Sequence, residues 1–311
     1  MPVLRRVVFT LEPVPPFRLD FTVWLLRRRP NNALDLWQEG VYRRLVVLDE
    51  TVFGVTVRQI GSTEAPRLEV EALGDGPEAE LQPAAAMAIE RLLGTRVDLT
   101  DFYRVAAEDP GLERLAWRFG GAKPPRYPSA FEALVNGIAC QQITLTLGLS
   151  ILNRLAESFG PTESLAGLPL IGLPGPAAVA RLDPEALRGL GFSGQKARSL
   201  VEASQRVATG ELALEGLAEL DDESAVARLR ELRGVGQWTA DYVLLRGFGR
   251  AGIFPGGDVG GRNGLQRWLG LSDKLGEAGV RELTARWQPY AGLVYFHLLL
   301  QGAAEKGWLE V

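Results

Sequence analysis

The pattern of apolar residues changes along the chain, and this change constrains the fold more than any other feature. Short β-branched or alternating runs, which are typical of strands, occur at 7–11, 45–48, 52–57 and 68–73. Helices are expected over 21–26 and over 83–94, where a proline begins the segment and a glycine ends it. We therefore expect an α+β domain over residues 1–110 that is built on an antiparallel sheet.

From residue 111 to residue 311 the periodicity is mostly helical. Ser129 and Glu132 have the spacing of a capping box, in which the serine caps a helix and the glutamate reaches back to its start. The apolar residues that follow at helical spacing predict one buried face: Phe131, Leu134, Val135 and Ile138. Further helices are expected over 151–159, 184–187, 196–209 and 223–232. The stretch 166–176, rich in Gly, Pro and Leu, is expected to be a loop.

The composition excludes several classes of protein. With 311 residues, of which 46% are hydrophobic and 23% charged, the chain is long enough for about two domains and is typical of globular proteins. The single cysteine, Cys140, excludes an internal disulfide and any zinc site or iron–sulfur cluster built on four cysteines. No apolar run approaches the ~18–20 residues of a membrane span. The low cysteine use fits a reducing cytoplasm, so we expect a cytoplasmic protein, and we expect no metal site. The only histidine, His297, lies in an apolar run and is expected to be structural.

The charge is unevenly distributed. A net charge of −4 by itself argues against a nucleic-acid partner, because phosphate contacts come from clustered lysines and arginines. Residues 228–267, however, contain seven arginines and three acidic residues, which gives a local excess of +4. A solvated helix face would explain this excess, and so would a nucleic-acid contact.

This basic stretch contains a predicted helix–hairpin–helix, in which Gly234, Val235 and Gly236 separate two helical segments. Glycines allow positive φ and a close approach of the backbone to a partner. The N–H groups of such a turn, together with the N-terminus of the next helix, suit a phosphate. Val235 would hold the hairpin in the core. A plain turn between two helices is the alternative, because Gly-x-Gly alone is a weak signal.

A Gly- and Pro-rich loop follows the hairpin. Asp258 lies in this loop, twenty residues after Trp238 and near the start of the next helical segment. It could simply cap that helix. In the same geometry, the positive helix end would keep the carboxylate ionised and facing a cleft. A carboxylate beside a sugar stabilises the oxocarbenium-like transition state of N-glycosidic bond cleavage, and it can orient or deprotonate water.

Four segments, in this order along the chain, resemble the helix–hairpin–helix–Gly/Pro–Asp superfamily of DNA glycosylases. They are residues 131–143 with Gln141 and Gln142, residues 191–200 with Lys196, the hairpin with its loop and Asp258, and the Trp-x-Pro sequence at Trp287. The resemblance covers roughly residues 112–300. The preceding sheet domain resembles the TBP-like domain of the DNA-3-methyladenine glycosylase II branch.

The resemblance implies a monofunctional enzyme that hydrolyses the N-glycosidic bond of alkylated bases, 3-methyladenine and 7-methylguanine among them, in base excision repair. Two helical subdomains would flank the active-site cleft, and Asp258 would be the catalytic carboxylate. The damaged base would lie in a pocket formed by Trp238, Tyr242 and Leu299. Bifunctional glycosylase–lyases carry a lysine two residues after Gly-x-Gly, so Trp238 at that position implies no lyase activity.

The same resemblance implies how DNA would bind. The contacts would come from the hairpin, from neighbouring arginines and from a wedge loop that enters the duplex: Gly234, Val235, Gly236, Arg233, Arg262, Gln141 and Gln142. The expected partner is double-stranded DNA with a damaged base, bound by a monomer. No cofactor and no iron–sulfur cluster are expected, apart from a structural monovalent cation at the hairpin in the DNA complex.

Several positions depart from the branch. Ala291 and Gly292 replace Arg-Ser after the C-terminal motif, and Leu299 replaces a pocket tryptophan, which predicts an open pocket and a broad substrate range. Gln142 takes the place of an apolar wedge. Two alternatives stay open: a non-catalytic helix–hairpin–helix DNA-binding module, against which Asp258 argues, and an oxidised-purine DNA glycosylase, against which Trp238 argues.

Overall fold

The N-terminal part of the chain forms the expected antiparallel sheet. The computed structural model describes residues 4–48, 51–165 and 167–310. The sheet has five strands in the order β1-β5-β4-β3-β2, and all neighbours are antiparallel. The strands are β1 (Arg5–Leu11), β2 (Leu36–Gln38), β3 (Val41–Leu48), β4 (Thr51–Gln59) and β5 (Leu68–Gly74). Strand β2 was not predicted, because three residues are too few to show an alternating pattern.

Two helices accompany the sheet, α1 (Leu19–Arg27) and α2 (Glu78–Leu93). Both contribute to a core with the inward residues of the strands, such as Phe53 and Val55. The predicted start of the second helix at Pro83 is wrong, because the helix begins five residues earlier. A proline inside a helix leaves the carbonyl four residues before it without a partner. Here that residue is the exposed Ala79, where water can replace the missing donor.

The rest of the chain is helical, as expected, apart from one hairpin. The helices are α3 (Thr100–Ala107), α4 (Pro110–Arg118), α5 (Ala130–Cys140), α6 (Leu145–Phe159), α7 (Pro176–Val179), α8 (Pro184–Gly189), α9 (Gly194–Ala208), α10 (Asp222–Arg230), α11 (Gln237–Val243), α12 (Val259–Trp268), α13 (Glu277–Thr284) and α14 (Ala291–Ala304). A π-helical turn, Leu244–Phe248, continues α11. In the described part of the chain, no helix is both long and apolar enough to cross a membrane.

The hairpin joins β6 (Thr162–Leu165) and β7 (Leu168–Ile171), so the prediction of a loop over 166–176 is wrong for its first half. The hairpin lies against the outer face of the N-terminal sheet. Leu165 and Leu170 pack there with Leu45. A Cβ at Gly54 would lie 3.3 Å from the side chains of both Leu165 and Leu170. The β6–β7 hairpin is therefore stabilised by packing against a sheet that is distant in sequence, and no local sequence signal predicts its second strand.

Two hydrophobic clusters organise the helices. The first joins α5, α6, α9, α10 and α11, and the second joins α1, α3, α4, α12 and α14. The second cluster contains Phe21 and Leu25 of α1, so an element from the N-terminal part shares a core with the last helices. The division of the chain at residue 110 stays a prediction.

The start of α5 differs from the predicted capping box. Ser129 caps the helix by accepting a hydrogen bond from the backbone N–H of Glu132, as expected. The Glu132 side chain does not reach back, because it pairs with Arg44 of β3 in the interior. Arg44 also pairs with Asp35, and the Tyr42 hydroxyl donates to the same carboxylate. This buried cluster connects the sheet to the first helical cluster.

Candidate active site

A cleft of about 770 Å³ lies where the two helical clusters meet. It is lined by α1, the loop between α5 and α6, α11, α12 and α14. Five of the residues singled out from the sequence line this one cleft: Gln142, Trp238, Tyr242, Asp258 and Leu299. Residues that are far apart in the chain therefore meet at a single site.

Asp258 is the N-cap of α12. Its Oδ1 accepts a hydrogen bond from the backbone N–H of Gly261 at 2.6 Å. A negative charge in this position interacts favourably with the positive end of the helix dipole. A Cβ at Gly261 would lie 2.4 Å from the ring of Tyr295, so only glycine allows α12 to start this close to α14. Burial, and the negative charge of Asp258 after it, raise the pKa of Tyr295, which stays a neutral phenol.

Trp238 and Tyr242 form one wall of the cleft. They lie one helical turn apart on α11, and their ring centroids are 5.5 Å apart at 33°. The Tyr242 hydroxyl accepts a hydrogen bond from Arg28 Nη1 at 2.9 Å and contacts the Tyr127 hydroxyl at 2.8 Å, which fixes the ring. A Cβ at Gly257 would lie 2.9 Å from the Trp238 Cβ. The wall therefore begins directly beside the loop that carries Asp258.

The hairpin has one unusual backbone conformation and not two. Gly234 has φ +76°, in the left-handed region. Gly236 has φ −94° and is the N-cap of α11, so the positive φ that glycine allows is used at Gly234 and not at Gly236. Among the described residues, no side chain caps α11, which leaves the first N–H groups of this helix available to an anion. Val235 is buried in the first helical cluster.

Acidic partners neutralise part of the positive charge of the basic stretch. Arg233 pairs with Glu202 at 3.1 Å, and Arg262 donates weakly to the Gly256 carbonyl at 3.4 Å. Arg228 and Arg250 also have acidic partners, Glu231 and Asp222. Of the two expected DNA-contacting arginines, only Arg262 is without an acidic partner in the described ion pairs.

The two glutamines of the expected wedge loop differ in their environment. Gln141 Nε2 donates to the Gly234 carbonyl at 2.8 Å and to the Thr239 hydroxyl at 2.6 Å. Its amide therefore holds the wedge loop against the hairpin and does not face outward. Gln142 is exposed at the cleft, with φ +53°, a conformation that a non-glycine residue adopts only when its surroundings impose it.

Lys196 has a structural position that explains the segment around it. Its ammonium group donates to the carbonyls of Ala139 and Gln141, at the C-terminal end of α5. These carbonyls have no partner within the helix, and a cation is favourable there. The lysine thereby fixes the start of the wedge loop.

Two of the three substitutions that predicted an open pocket lie away from the cleft. Ala291 is fully buried in the second cluster. A Cβ at Gly292 would lie 2.7 Å from the carbonyl oxygens of Ala251 and Ile253, so this glycine accommodates a neighbouring segment. Leu299 alone lines the cleft.

Several residues line the cleft although the sequence did not predict them as part of the site. Arg28 and Arg246 lie at the cleft and are 6% and 1% exposed. Trp24 of α1, with Lys306 and Trp308 after α14, also line it. Arginines within basic runs give no local signal of burial, so these positions follow only from the packing of α1 against α14. His297, in contrast, is structural as expected: it is buried, and its Nδ1 lies 2.8 Å from the Leu293 carbonyl.

Comparison with known proteins finds one family match and several similar DNA glycosylases. Residues 135–289 match the family described as HhH-GPD superfamily base excision DNA repair protein. The chain is 26% identical over 294 residues to the DNA-3-methyladenine glycosylase of Bacillus subtilis (strain 168), covering 94% of this chain and 95% of that protein. The solved 3-methyladenine DNA-glycosylase from Archaeoglobus fulgidus has a TM-score of 0.84 and 26% identity, covering 95% of this chain and 98% of that one.

A glycosylase of another specificity shares the fold. The Clostridium acetobutylicum 8-oxoguanine glycosylase/lyase in complex with double-stranded DNA has a TM-score of 0.76 at 17% identity, covering 97% of this chain and 98% of that one. At this identity the likeness concerns the fold alone. Together with the hairpin, the Gly/Pro loop and Asp258, the family match shows that the chain belongs to the HhH-GPD superfamily of base excision DNA repair proteins, and nearly its whole length is similar to proteins named DNA-3-methyladenine glycosylase.

Proposed function

We propose that this protein is a monofunctional DNA glycosylase that releases alkylated bases, with Asp258 as its catalytic carboxylate. The observation that carries the proposal is the position of Asp258 at a helix N-terminus, in the same cleft as the aromatic wall of Trp238 and Tyr242. The wall suits a flipped base with extra methyl groups and positive charge, through stacking and cation–π attraction. The carboxylate can stabilise the positive charge that develops on the sugar of the same nucleotide.

The chemistry follows from the charges that develop during cleavage. As the N-glycosidic bond breaks, the electron pair leaves with the base and the sugar becomes an oxocarbenium ion. The Asp258 carboxylate stabilises this cation. It also orients the water that attacks the sugar carbon and accepts its proton.

The absence of lyase activity is supported by the surroundings of three residues. Trp238 occupies the position of the lyase lysine, and an indole cannot form a Schiff base. Lys196 is engaged with backbone carbonyls. Lys306 lines the cleft and is exposed, so it is the lysine to test. We expect borohydride to trap no protein–DNA adduct. An adduct lost in Lys306→Ala would assign a lyase to that residue.

DNA binding is proposed to use the hairpin backbone at Gly234 and Gly236 as a phosphate anchor, with a monovalent cation there in the complex. Arg262 would add a phosphate contact, and Gln142 would enter the duplex where the target nucleotide leaves. We expect a monomer to bind, with a salt-dependent affinity. Arg262→Ala should reduce the slope of log K against log salt by roughly one unit.

The substrate range is proposed to be broad, with 3-methyladenine and 7-methylguanine first, because their positive charge already weakens the N-glycosidic bond. This rests on Leu299 alone, since Ala291 and Gly292 lie outside the cleft. A side chain smaller than tryptophan at this position leaves volume for misfit bases, and a difference in volume alone rejects a misfit base only weakly.

The deciding experiment is a base-release assay on alkylated duplex DNA, analysed by chromatography of the free bases. We expect 3-methyladenine and 7-methylguanine to appear, and strand breaks only after alkali. Binding without base release would favour the non-catalytic DNA-binding module. Release of 8-oxoguanine with direct strand cleavage would favour the oxidised-purine enzyme.

A further inference from the structure

Two buried arginines lie at the floor of the cleft, and the proposed chemistry does not use them. Arg28 follows the last residue of α1, and Arg246 lies in the π-helical turn after α11. Arg28 Nη1 donates to the Tyr242 hydroxyl, and Nη2 donates to Asn136 Oδ1 at 2.6 Å. Arg246 Nη1 donates to the Leu25 carbonyl at 2.9 Å.

Both guanidinium groups carry a charge that their contacts do not neutralise. In the described part of the chain, their hydrogen-bond partners are all neutral oxygens. Burial lowers the pKa of Arg28, but the oxygens of Tyr127 and Tyr242 raise it, and the net pKa lies above its ordinary value. Asp35 and Glu132, two buried carboxylates that act on Arg28 from a distance, both form their ion pairs with Arg44. The floor of the cleft therefore holds a fixed positive charge.

The contacts of the aromatic wall place this charge relative to Asp258. Gly257, next to Asp258, touches Trp238, whose ring lies 5.5 Å from that of Tyr242. The Tyr242 hydroxyl in turn contacts Arg28 at 2.9 Å. The loop that carries Asp258 thus lies beside Trp238, and Arg28 lies beside the hydroxyl of Tyr242. A base stacked on this wall would have Asp258 at its sugar end and Arg28 at its far end.

We propose that Arg28, supported by Arg246, polarises the N-glycosidic bond and sets the preference between charged and neutral bases. This proposal rests on the proposed function. When the bond breaks, the electron pair stays on the base nitrogen, so the base gains one negative charge: a cationic base leaves neutral, and a neutral base leaves as an anion that water then protonates. Water adds to the sugar carbon, and its proton passes to Asp258. A positive charge beyond the base favours this shift of electrons in both cases.

The two kinds of base differ in binding. A cationic base is repelled by Arg28 while it is bound and loses that repulsion as its charge moves to the sugar. A neutral base has no such repulsion. For a unit charge about 8 Å from the base and an effective dielectric constant of about 20, Coulomb's law gives an effect of roughly thirtyfold. Removal of the charge should slow cleavage of both kinds of base and should tighten the binding of cationic bases only.

The test measures single-turnover base release as a function of enzyme concentration, which separates the maximal rate from the half-saturating concentration. The substrates are duplexes with 7-methylguanine, which is cationic, and with hypoxanthine, which is neutral. The variants are Arg28→Met, Arg28→Gln, which keeps polar donors without the charge, and Arg28→Lys, which keeps the charge. Arg29→Met removes a neighbouring, half-buried cation of the same cleft and serves as the control. Affinity for abasic-site DNA and the Tm report on the fold.

We expect Arg28→Met and Arg28→Gln to lower the maximal rate by roughly thirtyfold and to lower the half-saturating concentration for 7-methylguanine but not for hypoxanthine. The maximal rate and half-saturating concentration of Arg28→Lys should stay near the wild-type values. Those of Arg29→Met should change less than those of Arg28→Met. If Arg28 had a purely structural role, its replacement would weaken the binding of both substrates and of abasic-site DNA together, and this result would overturn the proposal. An Arg28→Lys variant as slow as Arg28→Met would also overturn it. If the wild type releases only 7-methylguanine, Arg28→Met and Arg28→Gln variants that are slower but do not bind this substrate more tightly would also overturn the proposal. A wild type that releases neither base refutes the proposed function itself.

Discussion

Replacement of Asp258 by asparagine separates the two roles that the structure gives this residue. Oδ1 caps α12 by accepting a hydrogen bond from the Gly261 N–H at 2.6 Å. Asparagine is as good an N-cap as aspartate, so this bond can persist. Only the interaction of the charge with the helix dipole is lost, which contributes about 0.3–1 kcal/mol to the free energy of unfolding. The fold should therefore tolerate the change.

The catalytic effect should be much larger. A carboxylate about 4 Å from a developing oxocarbenium ion, at an effective dielectric constant of about 20, stabilises it by about 4 kcal/mol. This corresponds to a loss of roughly a thousandfold in rate, since about 1.4 kcal/mol changes a rate tenfold. Asp258→Asn should thus lose nearly all base release while its Tm and its affinity for abasic-site DNA change little.

The assay is single-turnover release of 7-methylguanine from a defined duplex, with Tm measured on the same preparations. Asp258→Ala is the matched comparison, because it loses both the charge and the cap and should be less stable by about 1 kcal/mol. Equal inactivity of the two variants at different Tm values would separate catalysis from stability. An asparagine variant within tenfold of the wild-type rate would refute the assignment.

Four further predictions concern the wedge, the pocket, the buried ion cluster and the buried histidine. Gln142→Ala should weaken binding to abasic-site DNA and slow base release in a gel-shift and release assay, and no change in either would contradict its role as a wedge. Leu299→Trp should narrow the range of bases released from a panel of defined lesions, whereas an unchanged profile would contradict the open pocket. Arg44→Met should lower the free energy of unfolding by about 3–5 kcal/mol in a denaturant titration, because two buried carboxylates lose their partner; a loss below about 1 kcal/mol would show that they adapt. Burial lowers the pKa of His297 to about 4 from its ordinary 6.5, so the unfolded chain binds more protons between these values. The free energy of unfolding should therefore fall by about 3 kcal/mol as the pH drops through this window, and His297→Gln should remove that part of the pH dependence.

The sequence by itself determined the features that depend on neighbouring residues. The change from alternating to helical periodicity gave the sheet and the helices, because side-chain direction repeats every two or 3.6 residues in these structures. Gly234 marked the hairpin, since its positive φ is a local requirement. Asp258 was found because a cap and a Gly/Pro loop are both short-range signals.

Where a local signal competed with a distant partner, the tertiary structure decided. Glu132 has the spacing of a capping box, yet it pairs with Arg44, 88 residues away in sequence. A buried guanidinium needs carboxylate partners far more than an exposed helix N-terminus needs a second cap. The strand β7 and the inward amide of Gln141 have similar causes, because their partners lie in distant segments.

The composition of the cleft shows the same limit. Trp238, Tyr242 and Asp258 belong to adjoining segments and were recognisable together, but Arg28 comes from the N-terminal part of the chain and reaches Tyr242 across 214 residues. Sequence patterns state which face of a helix is buried and not which other segment covers it. Burial of a charged side chain depends on that covering segment, because only a complete set of polar partners makes it stable in the interior. The sequence thus determined the elements and the candidate carboxylate, and the packing of α1 against the last helix decided the charge on the floor of the cleft.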